Sequence, residues 1–262
     1  TVCGPVIMPV NAEVEETETD TDGDLPINEL FYSLQGEGTL AGVPTVFIRT
    51  SGCNLRCWFC DSYHTSWEPT GAWRDVDSIL EEVQSHEQAT HVVLTGGEPL
   101  IHEESVDLLE QLAADGYHTT VETNGTIYRD APINLASISP KLANSTPTPD
   151  RDPKGDGEWE AQHEQDRIDM DALSQLVDDY ETQLKFVVTG EEDMQEITDL
   201  VDRIRAATTT TVADDDVLLM PEGMTREQLD GTRGEVAELA MNYGYRYTPR
   251  LHVDLWNDAP GT

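Results

Sequence analysis

The strongest constraint on the fold is a repeated order of amphipathic helix and buried strand. Residues 75–88 (DVDSILEEVQSHEQ) carry apolar side chains at helical spacing, and HVVLTGGEPL after them predicts a buried strand that ends in glycines. The order recurs in ESVDLLEQLAADG, a helix that Gly116 ends, and in the strand YHTTVETNG. Because strands that alternate with helices pair in parallel, the sequence predicts an α/β fold with a parallel sheet.

The same alternation continues through the rest of the chain. PTVFIRTSG precedes it as a strand, and the later predicted strands are INLASISPK, QLKFVVTG, VLLMPEG and GYRYTPRLHVDLW. The later predicted helices are IDMDALSQLVDDY, MQEITDLVDRIRAA and REQLDGTRGEVAELAMNYG. About six strand–helix units result, fewer than the eight of a complete TIM barrel, so we predict an incomplete, about six-stranded parallel TIM-type barrel.

Two segments lie outside this pattern. Residues 1–24 contain VEETETDTDGD, with like charges and no apolar periodicity, which predicts an acidic disordered tail that includes Cys3. Residues 143–166 are rich in proline, glycine and charge, and the helix and strand patterns resume directly after them. We therefore interpret 143–166 as a surface insertion within a single domain that spans residues 25–262.

The charge of the chain excludes some classes of function. Its 262 residues include 15 Lys+Arg and 52 Asp+Glu, a formal net charge of −37 that would repel phosphates, so we expect no nucleic-acid partner. At molar ionic strength the Debye length falls to about 3 Å and screens this self-repulsion, so we predict a protein of an extreme halophile. With neither a stretch near the roughly 20 apolar residues of a membrane span nor a signal-peptide pattern, we expect a cytoplasmic protein with no membrane partner.

Three cysteines, Cys53, Cys57 and Cys60, follow the strand PTVFIRTSG with the spacing C-x3-C-x2-C. Three thiolates from one compact loop indicate a metal in a reducing compartment rather than a disulfide framework. Structural zinc normally takes four protein ligands, and His64 is a weak candidate for the fourth. A [4Fe–4S] cluster can be held by three thiolates, which leaves one iron open to a ligand. The spacing alone favours iron–sulfur but leaves both metals open.

The cysteine spacing, with Thr95-Gly96-Gly97-Glu98-Pro99 after a later strand, resembles the radical S-adenosylmethionine (SAM) superfamily. This resemblance implies that the open iron binds the amino and carboxylate groups of SAM. One electron from the cluster then releases a 5′-deoxyadenosyl radical, and the GGEP segment binds the SAM amino group. Glycines at a strand end permit such a close approach at the C-terminal rim of a barrel, although two glycines alone would predict only a turn.

Three shorter segments narrow the resemblance: FYSLQGEG at 31–38, FIR at 47–49 and CDS at 60–62. Over about residues 27–142 the chain is similar to the 7-carboxy-7-deazaguanine synthases, and its C-terminal half is similar only loosely. That family converts 6-carboxy-5,6,7,8-tetrahydropterin into 7-carboxy-7-deazaguanine by a radical ring contraction with loss of ammonia, on the route to the queuosine and archaeosine bases of tRNA. The resemblance thus implies a SAM- and Mg2+-dependent carbon–nitrogen lyase in which SAM acts catalytically.

The family pattern places substrate contacts on Leu34, Gln35, Gly36, Arg49 and Thr95. Amide groups at Gln35 and Gly36 can bind the edges of the pterin ring, and the Arg49 guanidinium can pair with its carboxylate through two hydrogen bonds. A tight turn at the glycines and a surface charge at Arg49 are the alternative interpretations. No acid or base for the loss of ammonia is identifiable.

The SAM contacts and the magnesium ligand also come from the resemblance. The residues that match the SAM-binding pattern are Phe59, Cys60, Asp61, Gly97, Ser139, Pro140 and Lys141. Ser62 stands where the family has a magnesium ligand that is usually threonine, and its hydroxyl is also a hard oxygen donor. A helix-cap serine is the alternative interpretation.

Other residues at strand ends have weaker support. Glu122, Thr123 and Asn124 are further candidates for the SAM site. Lys185 could supply a functional positive charge, but its motif support is weaker, and we interpret it as a lysine that extends its amine to the surface. The C-terminal RLHVDLWNDAPGT lacks the basic residues expected in the family, and no contact is assigned to it.

Two other functions remain open. The expected partners rest on the family resemblance alone. An activase that generates a glycyl radical on a partner protein uses the same cysteine spacing, but it should lack the QGEG segment and need no magnesium. The chain could instead be a non-catalytic electron carrier or a zinc-stabilised binding module. The leading resemblance implies a small-molecule pterin substrate, an electron donor such as flavodoxin or ferredoxin, and a homodimer.

Overall fold

The computed structural model describes residues 23–257 and residue 259, and this part of the chain contains one nine-stranded sheet. The strands are β1 (Asp24–Leu34), β2 (Pro44–Thr50), β3 (Ala72–Asp75), β4 (His91–Gly96), β5 (His118–Thr123), β6 (Leu135–Ile138), β7 (Thr182–Val188), β8 (Val217–Pro221) and β9 (Arg246–Tyr247). The α-helices are α1 (Tyr63–Ser66), α2 (Val76–Gln84), α3 (Glu104–Ala114), α4 (Glu160–Asp166), α5 (Met170–Asp179), α6 (Met194–Ala207), α7 (Arg226–Tyr243) and α8 (Leu251–Trp256).

The sheet confirms the prediction of an incomplete parallel barrel. Its strand order is β3-β1-β2-β4-β5-β6-β7-β8-β9, and every pairing from β2 to β9 is parallel. At the other edge, β1 pairs antiparallel with both β2 and β3. The edges β3 and β9 do not pair with each other, so the sheet stays open. The two-residue β9 is the shortest strand, which leaves six longer parallel strands, as the sequence predicts.

Alternation along the strands separates the apolar core from a polar face. The core contains Ile48 of β2, Leu94 of β4, Val121 of β5 and Leu184 of β7, each fully buried. Helices cover this face with their apolar stripes; in α2, for example, every buried side chain is apolar, and Asp75 caps the helix by accepting from the backbone N–H of Ser78. Because side chains alternate along a strand, the residue after each core residue points to the opposite face.

Two sequence predictions about secondary structure need correction. The predicted strand GYRYTPRLHVDLW is wrong beyond its start, because β9 covers only Arg246–Tyr247 and Leu251–Trp256 form α8. Pro249 has no N–H for a strand ladder, and the N–H of Leu251 instead donates to the carbonyl of Gly36 at 2.8 Å. The strand β1 was not predicted, and it begins at Asp24, the last residue assigned to the acidic tail.

The rest of that tail, residues 1–22 with Cys3, lies outside the described residues. Residues 143–166 contain α4 and a short 3-10 turn at Ala143–Ser145. None of the helices between residues 23 and 257 combines the length and apolar character needed to cross a membrane.

Candidate active site

A row of polar side chains crosses the face of the sheet opposite the core. The register pairs Arg49 of β2 with Thr95 of β4, and Glu122 of β5 with Ser137 of β6. The row continues into β7, where the Gln183 amide donates to the Ser137 hydroxyl at 2.8 Å. Buried parallel strands are normally apolar on both faces, so polar side chains at five adjacent positions indicate a binding site.

Two side chains donate hydrogen bonds to the Glu122 carboxylate. The hydroxyl of Thr95 donates to one carboxylate oxygen at 2.8 Å, and the side-chain amide of Gln35 donates to the other at 3.1 Å. The structure thus brings together two residues predicted to bind substrate, Gln35 and Thr95, and adds Glu122 to them. Thr123 and Asn124, grouped with Glu122 in the sequence analysis, have different partners, since both donate to Glu98.

Arg49 and Ser62 are in direct contact. The Arg49 guanidinium donates to the Ser62 hydroxyl at 2.8 Å, lies 5.7 Å from the centre of the Phe31 ring and is 3.5 Å from Glu29. These contacts argue against Arg49 as a mere surface charge. Ser62 is the N-cap residue of α1, but its side chain makes no capping hydrogen bond, so the cap interpretation of this serine lacks support.

The two glycines after β4 pack against the start of the cysteine loop. A Cβ atom on Gly96 would lie 2.1 Å from the Thr50 carbonyl oxygen, and one on Gly97 would lie 2.1 Å from the Gly52 carbonyl oxygen. The φ angle of Gly96 is +136°, which side chains also disfavour. Close approach of two backbones therefore requires glycine here, and the GGEP segment is fixed to the segment that carries Cys53.

Glu98 of the GGEP segment is a structural residue and not a free ligand. It is fully buried, and its carboxylate accepts from the hydroxyl of Thr123, from the N–H of Asn124 at 2.6 Å and from the N–H of Leu100. Burial raises the pKa of Glu98 to about 7, and the hydrogen bonds only partly offset that effect. The residue ties the loop after β4 to the loop after β5.

The cysteine loop has the chemistry of an iron–sulfur site. Cys53, Cys57 and Cys60 are all free thiols, and burial raises the pKa of the Cys57 thiol to about 12 and also raises the pKa values of the other two. Thiols whose pKa values are raised in this way need a nearby cation to become thiolates. Hydrogen bonds already point at two sulfurs, from the Ser66 hydroxyl to Cys60 at 3.2 Å and from the Leu55 N–H to Cys53 at 3.4 Å.

The arrangement does not favour a single zinc ion. Between residues 23 and 257, no three His, Cys, Asp or Glu side chains converge where one metal ion could bind. The proposed fourth ligand, His64, is exposed. A four-iron cluster takes its thiolates at separate corners, so the residues present fit a cluster better than a mononuclear site.

The segment after β6 reaches the same loop. The Lys141 amine donates to the Ser139 hydroxyl at 2.9 Å, and its charge lowers the pKa values of Cys57 and Glu98, although burial raises both more strongly. The charge of Lys141 therefore acts on both the cysteine loop and the GGEP segment. Pro140 is buried, and Phe59 packs edge-on against Trp58 at 5.3 Å.

An ionic network connects four residues from different parts of the chain. Glu37 accepts from the Lys185 amine at 2.5 Å and from Arg250 Nε at 3.0 Å. Arg250 also contacts Asp61 and donates to the carbonyl of Gly223 at 2.7 Å. Although burial raises the pKa of Glu37, the two cations outweigh it and leave the pKa well below its usual range. Lys185 is buried in this network, so its interpretation as a surface-directed lysine is wrong.

The C-terminal segment supplies the part of the site that sequence reasoning missed. The Thr248 hydroxyl accepts from the N–H of Gly38 at 2.7 Å, and a Cβ atom on Gly36 would lie 1.9 Å from Nδ1 of His252. The QGEG loop is thus held by residues more than 200 positions away. The available signal was an arginine and a histidine together in RLHVDLW, in a chain with few cations.

Comparisons with known proteins identify the family of this chain. Residues 47–144 match the model of the Radical SAM superfamily. The chain is 68% identical to a 7-carboxy-7-deazaguanine synthase of Halobacterium salinarum, with 97% of this chain and 100% of the relative covered. It is 40% identical to a 7-carboxy-7-deazaguanine synthase of Rhodopirellula baltica, with 97% and 98% covered.

A solved structure supports the same assignment. The crystal structure of QueE from Escherichia coli superposes with a TM-score of 0.63 at 26% identity, and covers 87% of this chain and 95% of that chain. The likeness therefore extends beyond the cysteine and GGEP segments to almost the whole fold. The chain belongs to the 7-carboxy-7-deazaguanine synthase family of radical SAM enzymes.

Proposed function

We propose that this chain converts 6-carboxy-5,6,7,8-tetrahydropterin into 7-carboxy-7-deazaguanine with loss of ammonia, with a [4Fe–4S] cluster, SAM and Mg2+. The observation that carries the proposal is the joining of Gln35, Thr95 and Glu122 on the polar face of the sheet, beside the QGEG loop. Family membership supports it independently.

The Glu122 carboxylate suits the amino-pyrimidine edge of a pterin. That edge presents two adjacent N–H donors, and a carboxylate accepts two parallel hydrogen bonds. Thr95 and Gln35 donate to the two oxygens of Glu122 and so fix its orientation before substrate binds. Leu34 and Gly36 flank Gln35 and would line the ring, and the His252 ring packs against Gly36.

The contact between Arg49 and Ser62 suits the substrate carboxylate. A guanidinium pairs with a carboxylate through two hydrogen bonds, and a hydroxyl is a hard oxygen ligand for Mg2+. Because the two groups lie 2.8 Å apart, one carboxylate can meet both the guanidinium and a magnesium ion held by Ser62. Waters would complete the octahedron of ligands.

The cysteine loop and the segments around it would hold the cluster and SAM. Cys53, Cys57 and Cys60 would bind the cluster, and the SAM contacts would come from the segments that surround it: Phe59, Cys60, Asp61, Gly97, Ser139, Pro140 and Lys141. When bound, the cluster and SAM supply the hydrogen-atom abstraction of the radical SAM family. Gly97 lets the GGEP segment pack closely against Gly52 beside the cysteine loop, and the Lys141 amine would pair with the carboxylate of SAM.

The proposal is tested by anaerobic incubation of the reconstituted enzyme with dithionite, SAM, Mg2+ and the carboxytetrahydropterin, followed by mass spectrometry. We expect 7-carboxy-7-deazaguanine from the wild type and none from Cys57→Ser, which lacks a cluster ligand. Omission of Mg2+ should lower the rate. Release of 5′-deoxyadenosine without the deazaguanine would refute the substrate and retain the radical SAM assignment.

Family membership also supports proposals about the electron donor, the oligomeric state and the cellular location. We propose a flavodoxin or ferredoxin as electron donor and a homodimer that works in the cytoplasm. Light scattering at molar KCl checks the dimer, and reduction of the cluster by each purified donor checks the reductant.

A further inference from the structure

Arg56, between the first two cysteines, is a buried cation. Its side chain is almost withdrawn from solvent, with the residue 6% exposed. One guanidinium nitrogen donates to the carbonyls of Cys53 at 2.6 Å and Leu55 at 2.8 Å, and the group lies 4.6 Å from the centre of the Trp159 ring. Among the described residues, no carboxylate lies within ion-pair distance of Arg56.

A buried guanidinium that lacks a carboxylate partner needs another counter-charge. Removal of an ion from water costs several kcal/mol unless an opposite charge compensates it. The guanidinium lies within the cysteine loop, where it donates to the carbonyl of Cys53 at 2.6 Å, close to the sulfurs of Cys53, Cys57 and Cys60. Once these hold a cluster, the cluster itself becomes the counter-charge of Arg56.

Residues of the 143–166 segment hold Arg56 in place. Nδ1 of the His163 ring accepts from the backbone N–H of Arg56 at 3.1 Å, so the neutral ring carries its proton on Nε2, which lies 2.9 Å from the Ser145 hydroxyl. The guanidinium also lies over the ring of Trp159. Exclusion of water by this indole strengthens the interaction of Arg56 with nearby charge.

We propose that Arg56 raises the reduction potential of the cluster by stabilising its reduced form, and that Trp159 strengthens this effect by shielding the guanidinium from water. In the step concerned, the [4Fe–4S]2+ cluster gains one electron from an external reductant and becomes [4Fe–4S]+, with no proton transferred. The added negative charge is attracted to a fixed buried cation. This inference rests on the cluster assignment and does not depend on the pterin substrate.

The test is a redox titration of the reconstituted enzyme without SAM or substrate, followed by electron paramagnetic resonance. At a fixed potential, Arg56→Gln should lower the ratio of reduced to oxidised cluster about tenfold, a shift of about 59 mV for one electron. Arg56→Lys keeps the charge and should change the ratio less than about threefold. Arg74→Gln, which removes a surface cation paired with Glu82, is the matched control and should leave the ratio unchanged.

Trp159→Ala keeps every charge and lies outside the cysteine loop, so it tests the inference even if Arg56→Gln fails to assemble a cluster. It should shift the ratio in the same direction by a smaller factor. An unchanged potential in Trp159→Ala, or an equal shift in Arg56→Lys and Arg56→Gln, would overturn the proposal. Because the titration contains no substrate, its result does not depend on whether the pterin is the substrate, which the product assay tests separately.

Discussion

Replacement of Arg250 with glutamine should lower the free energy of unfolding by about 3 kcal/mol. The arginine side chain is 8% exposed and contacts oxygens of Glu37, Asp61 and Gly223. Removing one partner of a buried ion pair typically costs about 3–5 kcal/mol. We expect the lower end because Lys185 still neutralises Glu37 and because Asp61, whose side chain is 48% exposed, can be hydrated.

Denaturant unfolding of the apoprotein at molar KCl measures this loss. Arg246→Gln is the matched control, because Arg246 is an exposed arginine of the same segment, and it should stay within about 0.5 kcal/mol of the wild type. If Arg250→Gln also unfolds within about 0.5 kcal/mol of the wild type, the ionic network does not hold the C-terminal segment and the reasoning is refuted.

A double-mutant cycle separates the network from the individual charges. Lys185→Met or Arg250→Gln alone leaves Glu37 with one cation, whereas the double variant leaves this buried carboxylate with neither. The combined cost should therefore exceed the sum of the single costs, by about 1 kcal/mol or more. Additive costs would show that the two cations do not act through Glu37.

Four further outcomes follow from the structure. Gly97→Ala should weaken SAM binding at least about tenfold, because its Cβ would meet the Gly52 carbonyl at 2.1 Å. Gly231→Ala lies on an open helix surface and should stabilise the folded protein by up to about 1 kcal/mol. Equal SAM affinity in both variants would contradict the packing argument. Arg49→Ala should raise the KM for the pterin about a hundredfold and leave the visible spectrum of the cluster unchanged, whereas loss of the spectrum would make Arg49 a structural residue. Burial lowers the pKa of His163 to about 4 from an ordinary 6.5, so the folded state favours the neutral ring. The free energy of unfolding of the apoprotein should therefore be highest above pH 6.5 and fall by about 3 kcal/mol towards pH 4. His163→Gln should not show this fall, and a variant with the same pH profile as the wild type would refute the prediction. Thermal stability should rise with KCl concentration, and equal or greater stability in dilute buffer would contradict the adaptation to salt inferred from a net charge of −37.

The parallel sheet could be predicted because its signals are local. The strand β4 carries a continuous apolar run, and the helix α2 repeats its apolar residues at helical spacing. The cysteine loop and the glycines after β4 were equally visible, since each is a short motif. In contrast, β1 begins inside an acidic stretch whose composition resembles a disordered tail.

The partners within the site could not be predicted, because they depend on register and on distant returns of the chain. Glu122 and Thr123 are neighbours in sequence, yet alternation sends one to the polar face and the other to Glu98. Arg250 meets Glu37 across 213 positions of sequence, and no local pattern records such a contact. The role of Arg56 was hidden for another reason, since its lack of a carboxylate partner appears only in three dimensions.

The contact of residues 248–252 with the QGEG loop sets an order for biogenesis. During translation the ribosome releases the cysteine loop and the glycines after β4 long before Thr248 and Arg250 emerge. At that stage the substrate loop still lacks the Thr248 hydroxyl and one of its two cations. A polypeptide truncated before these residues would carry the radical-generating half of the enzyme without a finished pocket to confine its chemistry.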